Sequence, residues 1–146
     1  MKLQIRQAKK IDFEKIYQVF SQEYRKKPYN EKWDKKNGLR FVNNYSKIAK
    51  IFVAISDGKL IGAIIFRIKP DNKGFLLIVE ELAVNIKFQG KGIGRKLMEL
   101  AENYGLINGC HSVRLLTHNQ SHAVKFYEKL NYEKAKDIIY FSKKIK

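Results

Sequence analysis

Apolar and polar positions along the chain follow two rhythms, one of period two and one of period 3.6. Leu3 and Ile5, with polar residues between them, predict a short first strand, and Phe13, Ile16, Tyr17 and Phe20 recur at helical spacing within residues 11–20. Residues 39–49 read as a second helix. Residues 51–55 and 60–68 are β-favouring runs joined by Ser56-Asp57-Gly58-Lys59, and an Asp-Gly step between two such runs predicts a hairpin. After a turn over 70–74, residues 75–84 (FLLIVEELAV) are apolar enough for a central strand covered on both faces. Ile93, Leu97, Leu100, Ala101, Tyr104 and Ile107 form the single stripe of an amphipathic helix, with Arg95, Lys96, Glu99 and Glu102 turned outward. A strand over 113–116, a helix over 122–130 and a last strand over 137–142 complete the chain.

The order β-α-α-β-β-β-α-β-α-β places antiparallel hairpins before a β-α-β crossover, whose two strands are parallel neighbours. The expected fold class is α/β, in its mixed α+β form: a central mixed β-sheet flanked by helices on both faces. With 146 residues, 45% of them apolar and 12% aromatic, the chain suits a single domain over 1–146 that folds without disulfide or metal. Thirty Lys and Arg against 14 Asp and Glu give a net charge of +16, which favours anionic partners: nucleic acid, acidic lipid surfaces or phosphorylated cofactors. The cations are spread over the whole chain, the pattern of a solvated surface, which weighs against a basic nucleic-acid-binding protein. No apolar run approaches the roughly 18 residues that cross a bilayer, and the N-terminal ten residues lack an apolar signal-peptide core. Cys110 is the single cysteine, so no internal disulfide can form, and a cytoplasmic protein with no membrane partner is expected.

The chemistry concentrates between the central strand and the amphipathic helix. Gly90, Gly92 and Gly94 alternate in a strand-to-helix turn, where they allow close approach and direct backbone N–H groups along the positive end of a helix dipole. An anion fits such a turn. No Gly-Lys-Ser/Thr follows, which excludes a Walker A loop, and Thr117-His118-Asn119-Gln120 lacks the ribose-binding acid of a dinucleotide fold. Glu80 and Glu81 interrupt the apolar strand, where an unpartnered carboxylate is costly and its pKa rises, as a general base requires. Alternation puts Glu80 on the face of Leu82 and Val84 and Glu81 on the opposite one, unless a bulge exchanges them. The alternative is that either one simply pairs with a core-facing Lys or Arg. His118 and His122 stand four apart, but the Glu of His-Glu-x-x-His and a third ligand are missing, so no metal is expected.

Gln89-Gly90-Lys91-Gly92-Ile93-Gly94, preceded by Leu82-Ala83-Val84, and Ala123-Val124-Lys125-Phe126-Tyr127-Glu128-Lys129-Leu130-Asn131-Tyr132 together resemble two motifs of the GNAT superfamily of acyl-CoA-dependent N-acyltransferases. The resemblance in element order spans essentially the whole chain. It implies a GNAT fold in which the strand bearing Leu82, Ala83 and Val84 diverges from the strand bearing Val113. The pantetheine of acetyl-CoA would enter the gap beside the backbone of Ala83 and Val84, and the pyrophosphate would rest on Gln89, Gly90, Lys91, Gly92, Ile93, Gly94 and Arg95, with Lys96 nearby. Two departures stand out: Gln120 holds the place of the family's usual Asn, with Asn119 one residue earlier, and Asn131 replaces a usual Gly. Either Asn119 or Gln120 would reach the cofactor.

The implied reaction moves the acetyl group of acetyl-CoA to a primary amine by direct attack in a ternary complex, with Glu80 or Glu81, or water through them, as base and Tyr127 as acid. Cys110 precedes the Val113 strand, at the far end of the sheet from the turn, which disfavours an acyl-cysteine intermediate. The other readings are an acyl-CoA-binding module without catalysis and the nucleic-acid-binding protein weighed above; a homodimer is compatible with either. The family's first two helices line the acceptor site, and here that segment is basic and carries Tyr24, Tyr29 and Trp33. Neutral or anionic small-molecule or peptide amines are therefore expected to be better acceptors than polycations.

Overall fold

The Asp57-Gly58 step forms the expected hairpin, with both residues at positive φ (51° and 79°), the conformation that matches the right-handed twist of the flanking strands. In the computed structural model, which describes residues 2–146, that hairpin joins β2 (Lys50–Ser56) to β3 (Lys59–Asp71) at the middle of a five-stranded sheet. β1 (Leu3–Gln7) pairs antiparallel with β2, and β4 (Gly74–Val84) pairs antiparallel with β3. β5 (Cys110–Leu115) lies parallel to β4, as a crossover through α3 (Ile93–Ile107) requires. The strand order is β1-β2-β3-β4-β5.

The sheet separates two apolar clusters. On one face α1 (Phe13–Tyr24) and α2 (Lys35–Ile48) bury Ile16, Val19, Phe20 and Val42 against Val53, Ala63, Ile65 and Ala83. On the other, the α3 stripe of Ile93, Leu97, Met98 and Ala101 packs on Phe66, Leu77 and Val79, and Phe126 and Tyr127 of α4 (Ala123–Lys129) join its edge. α2 begins before residue 39 because Asp34 caps it, its carboxylate accepting the Asn37 N–H at 2.8 Å. Just past the end of α4, Asn131 has a φ of 68°, the left-handed conformation that a glycine commonly supplies after a helix. No helix among the described residues is long and apolar enough to cross a membrane.

The expected last strand over 137–142 is absent, which corrects the element order to β-α-α-β-β-β-α-β-α. Ile138, Ile139, Tyr140 and Phe141 are 68–87% exposed, and among the described residues nothing pairs with the outer edge of β5. Strand propensity measures how a side chain fits a pleated surface, and no strand forms until an edge takes its backbone hydrogen bonds. Lysines at 134, 136, 143, 144 and 146 flank this run, and its Tyr140 lines the cleft described below.

Candidate active site

The cleft opens where β4 and β5 part. Their pairing runs from Phe75–Cys110 to Val79–Leu115 and stops, leaving Glu81 to Val84 paired on the β3 side only. The cause of the break is a β-bulge. Ile65 pairs with Glu81 and Phe66 with Val79, so Glu80 is the extra residue, and bulges of this kind bend a strand and increase its twist. The resulting cleft has a volume of about 1420 Å³ and runs from the glycine turn, along Leu82, Ala83 and Val84, to the face covered by α1 and α2.

The same bulge overturns the strict alternation expected of the two carboxylates. Val79 and Leu82 face α3, whereas Glu80 and Glu81 both face α1 and α2, where each meets a tyrosine. The Tyr24 hydroxyl donates to Glu81 at 2.6 Å, and the Tyr45 hydroxyl donates to Glu80 at 3.0 Å. Glu80 also pairs with Arg67 at 3.5 Å, the core-facing cation of the alternative reading. Among the described residues, Glu81 has no such cation. Burial pushes its carboxyl up to about 7; the Tyr24 hydrogen bond works against that shift, and the charges of Glu31 and Glu80 add to it.

At the other end, Gly90 and Gly92 adopt φ of 78° and 82°, and Gly92 starts α3 with no side-chain cap on the helix N–H groups. A Cβ at either position would meet nothing within 4 Å, so the glycines are there for backbone conformation and leave the approach to the helix N-terminus open. Gly94 serves packing, since a Cβ there would sit 3.2 Å from the Phe126 ring. The Gln89 amide folds back to the Val84 carbonyl at 2.9 Å, which fixes the turn to β4 and occupies one of the backbone groups expected to face the pantetheine.

Of the residues proposed from sequence for the cofactor, Leu82, Ala83, Val84, Gln89, Gly90, Gly92, Ile93, Gly94, Arg95 and Asn119 line the cleft. Lys91, Lys96 and Gln120 do not. Lys91 instead holds its ammonium 5.3 Å above the Phe88 ring, and Arg95 reaches Glu99 at 3.1 Å. Tyr127 lines the cleft beside Phe126; burial holds its phenol well above the usual range, and Tyr29 and Glu81 are near enough to add to the shift. His118 accepts the Gln120 N–H at 3.1 Å and His122 meets Glu23 at 3.0 Å, so the two rings serve different partners. Cys110 lies outside the cleft, opposite Phe75 at the start of β4.

Sequence reasoning did not identify Glu23. It is 8% exposed at the end of α1, where it pairs with Lys26 at 2.8 Å, with His122 at 3.0 Å, and accepts from Gln89 at 3.4 Å. It joins α1 to the glycine turn and to the start of α4. Partners 66 and 99 residues away leave no local signal; the one cue was an acid on the apolar side of a helical stripe.

A family model described as the acetyltransferase (GNAT) family matches residues 13–132. An N-acetyltransferase of Archaeoglobus fulgidus, named as uncharacterized, is 32% identical over 114 residues, which is 71% of this chain and 74% of that protein. Among solved structures, a possible acetyltransferase from Clostridium difficile superposes with a TM-score of 0.85 at 18% identity, covering 100% of both chains. An aminoglycoside N-acetyltransferase in complex with CoA superposes with a TM-score of 0.81 at 20% identity, covering 99% of this chain and 96% of the other.

Proposed function

The chain belongs to the acetyltransferase (GNAT) family, and from that premise we propose that it carries the acetyl group of acetyl-CoA to a primary amine by direct attack within a ternary complex. The observation that carries the reading is Glu81, a carboxylate without a cation among the described residues, held by Tyr24 in the cleft and pushed up to about 7. Fold neighbours that are named for aminoglycosides, small amines themselves, agree with a small-molecule acceptor. The uncapped start of α3 and the left-handed Gly90 and Gly92 suit the pyrophosphate, and Asn119, which lines the cleft where Gln120 does not, is the residue assigned here to the cofactor.

An alkyl ammonium cannot attack until it loses a proton, and a base whose pKa lies near the operating pH is well placed to take it. Glu81, directly or through water, accepts that proton and passes it to solvent. The amine nitrogen then bonds to the thioester carbonyl carbon, and collapse of the tetrahedral adduct breaks the carbon–sulfur bond. Burial keeps the Tyr127 phenol protonated. Its O–H protonates the departing thiolate, and the excess proton left on nitrogen restores the phenol. Glu80, engaged by Arg67 and Tyr45, positions Arg67 and shapes the pocket instead of acting as the base. A cytoplasmic setting, where acetyl-CoA is available and Cys110 stays reduced, fits this chemistry.

Thiol release from acetyl-CoA, followed across a panel of primary amines and as a function of pH, tests the reading. The profile of kcat/KM rises with pH through a limb near 7, because the carboxylate is the active form. Glu81→Gln abolishes that limb with a fall on the order of 10²-fold or more, whereas Glu80→Gln keeps it. Binding of acetyl-CoA with no thiol release to any amine would make the chain an acyl-CoA-binding module.

A further inference from the structure

The acceptor half of the cleft is walled by chemistry opposite to the composition of the segment that forms it. Residues 25–40 carry seven Lys and Arg, yet none of the seven lines the cleft. Lys26 turns to Glu23 and Lys35 to Glu14, at 2.8 and 2.9 Å, and Arg25 donates to the Trp33 carbonyl. What the segment presents to the cleft is Tyr29, Glu31 and Trp33. Trp33 packs against Tyr24 and Phe41 with ring centroids 5.9 and 5.0 Å apart, and its indole N–H donates to Glu31 at 2.9 Å, fixing that carboxylate beside the rings. The backbone N–H of Glu31 in turn donates to the Tyr24 carbonyl at 2.8 Å, so the acid is tethered at both ends. The walls of this half hold three carboxylates, Glu31, Glu80 and Glu81, against two cations, Arg67, already paired with Glu80, and Arg114, next to it across Ile78.

We propose that the preferred acceptor is a small di- or polyamine: one amine reacts at Glu81 while a second ammonium lies among Tyr24, Trp33 and the Glu31 carboxylate. The proposal rests on the acetyl-transfer reading and names the substrate class of the same site. Aromatic faces attract ammonium groups through the ring quadrupole, and a fixed carboxylate beside them supplies the counter-charge. Monoamines forgo that interaction. An acceptor with a carboxylate in place of the second ammonium meets Glu31 as a like charge. The basic surface of residues 25–40 is a property of the outside of the segment, and the expectation that polycations are poor acceptors does not extend to the walls of the pocket.

Four acceptors separate these effects in the thiol-release assay: 1,4-diaminobutane, butylamine and 4-aminobutanoate, which share a four-carbon chain, and the longer spermidine. The expected kcat/KM for diaminobutane exceeds that for butylamine by about tenfold, the size of a cation–π contact reinforced by a carboxylate, and aminobutanoate is the poorest of the four. Glu31→Gln, at an exposed position, should reduce the ratio of diaminobutane to butylamine several-fold, and Trp33→Leu should do the same. Turnover of butylamine or aminobutanoate at least equal to that of both polyamines overturns the inference and leaves the acetyl-transfer reading standing, as does an unchanged ratio in Glu31→Gln. Failure of all four, and of every other amine, to release thiol removes both.

Discussion

The two ends of the cleft are built from different materials. The glycine-turn end is made of backbone: left-handed Gly90 and Gly92, the open N-terminus of α3, and a Gln89 side chain whose partner is the Val84 carbonyl. The end under α1 and α2 is made of side chains: Tyr24, Tyr45, Glu80, Glu81, Trp33 and Glu31, joined by hydrogen bonds of 2.6–3.0 Å. A backbone site recognises a group common to every reaction cycle, the pyrophosphate, and is indifferent to most side-chain changes. A side-chain site sets which amine enters and when it loses its proton. Changes at the glycine end should therefore appear in acetyl-CoA affinity, and changes at the other end in kcat, pH dependence and acceptor choice.

The largest effect of the four substitutions below belongs to Tyr127→Phe, where the two ends meet. The ring and its contacts with Phe126 and Tyr132 remain while the hydroxyl is removed. Assistance to the departing thiolate exists only in the transition state, so kcat should fall on the order of 10²-fold while acetyl-CoA affinity barely changes. Single-turnover kinetics would show whether chemistry limits the rate. An unchanged chemical step would assign Tyr127 to packing alone and move the boundary between the two ends away from α4.

Gly92→Val addresses the other end with a smaller expected effect. A side chain at φ of 82° is strained by about 1–2 kcal/mol, and the turn can relax to relieve it only by turning its N–H groups away. Binding the pyrophosphate must restore the original geometry, which weakens acetyl-CoA by roughly tenfold in calorimetry, more if the branched side chain also enters the anion's space. The limb of the pH profile near 7 should stay in place. Undiminished affinity in a folded variant would make the turn structural and sink the cofactor assignment.

The same contrast explains what was legible in the sequence. The glycine turn occupies consecutive residues, so spacing alone located it, and the hairpin at Asp57-Gly58 and the α3 stripe were legible for the same reason. The acceptor end joins residues 35 and 57 positions apart, and its key feature, the bulge at Glu80, replaces alternation with a same-side pair that no period-two reading contains. Exposure was equally hidden: the charge of residues 25–40 was plain, but which of them face the cleft depends on how Trp33 and Glu31 pack. For residues 137–142 the pattern was right and the partner edge was missing, a property of the fold and not of the segment.

Tyr24→Phe makes the smallest change and isolates the electrostatics of the side-chain end. The Tyr24 hydroxyl donates to Glu81 at 2.6 Å, and that hydrogen bond favours the charged carboxylate, lowering a pKa that burial has raised to about 7. Removing the hydroxyl leaves burial and the charges of Glu31 and Glu80 unopposed, so the Glu81 pKa rises further. A hydrogen bond to a charged group is worth about 1.5 kcal/mol, or roughly one pH unit. The acid limb of kcat/KM should move to higher pH by up to that amount, so that activity falls several-fold at pH 7 and returns well above the new limb. Acetyl-CoA affinity should stay as it was. Tyr45→Phe frees Glu80 instead and should move the limb far less. A limb that moves with Tyr45 and not with Tyr24 would transfer the base from Glu81 to Glu80.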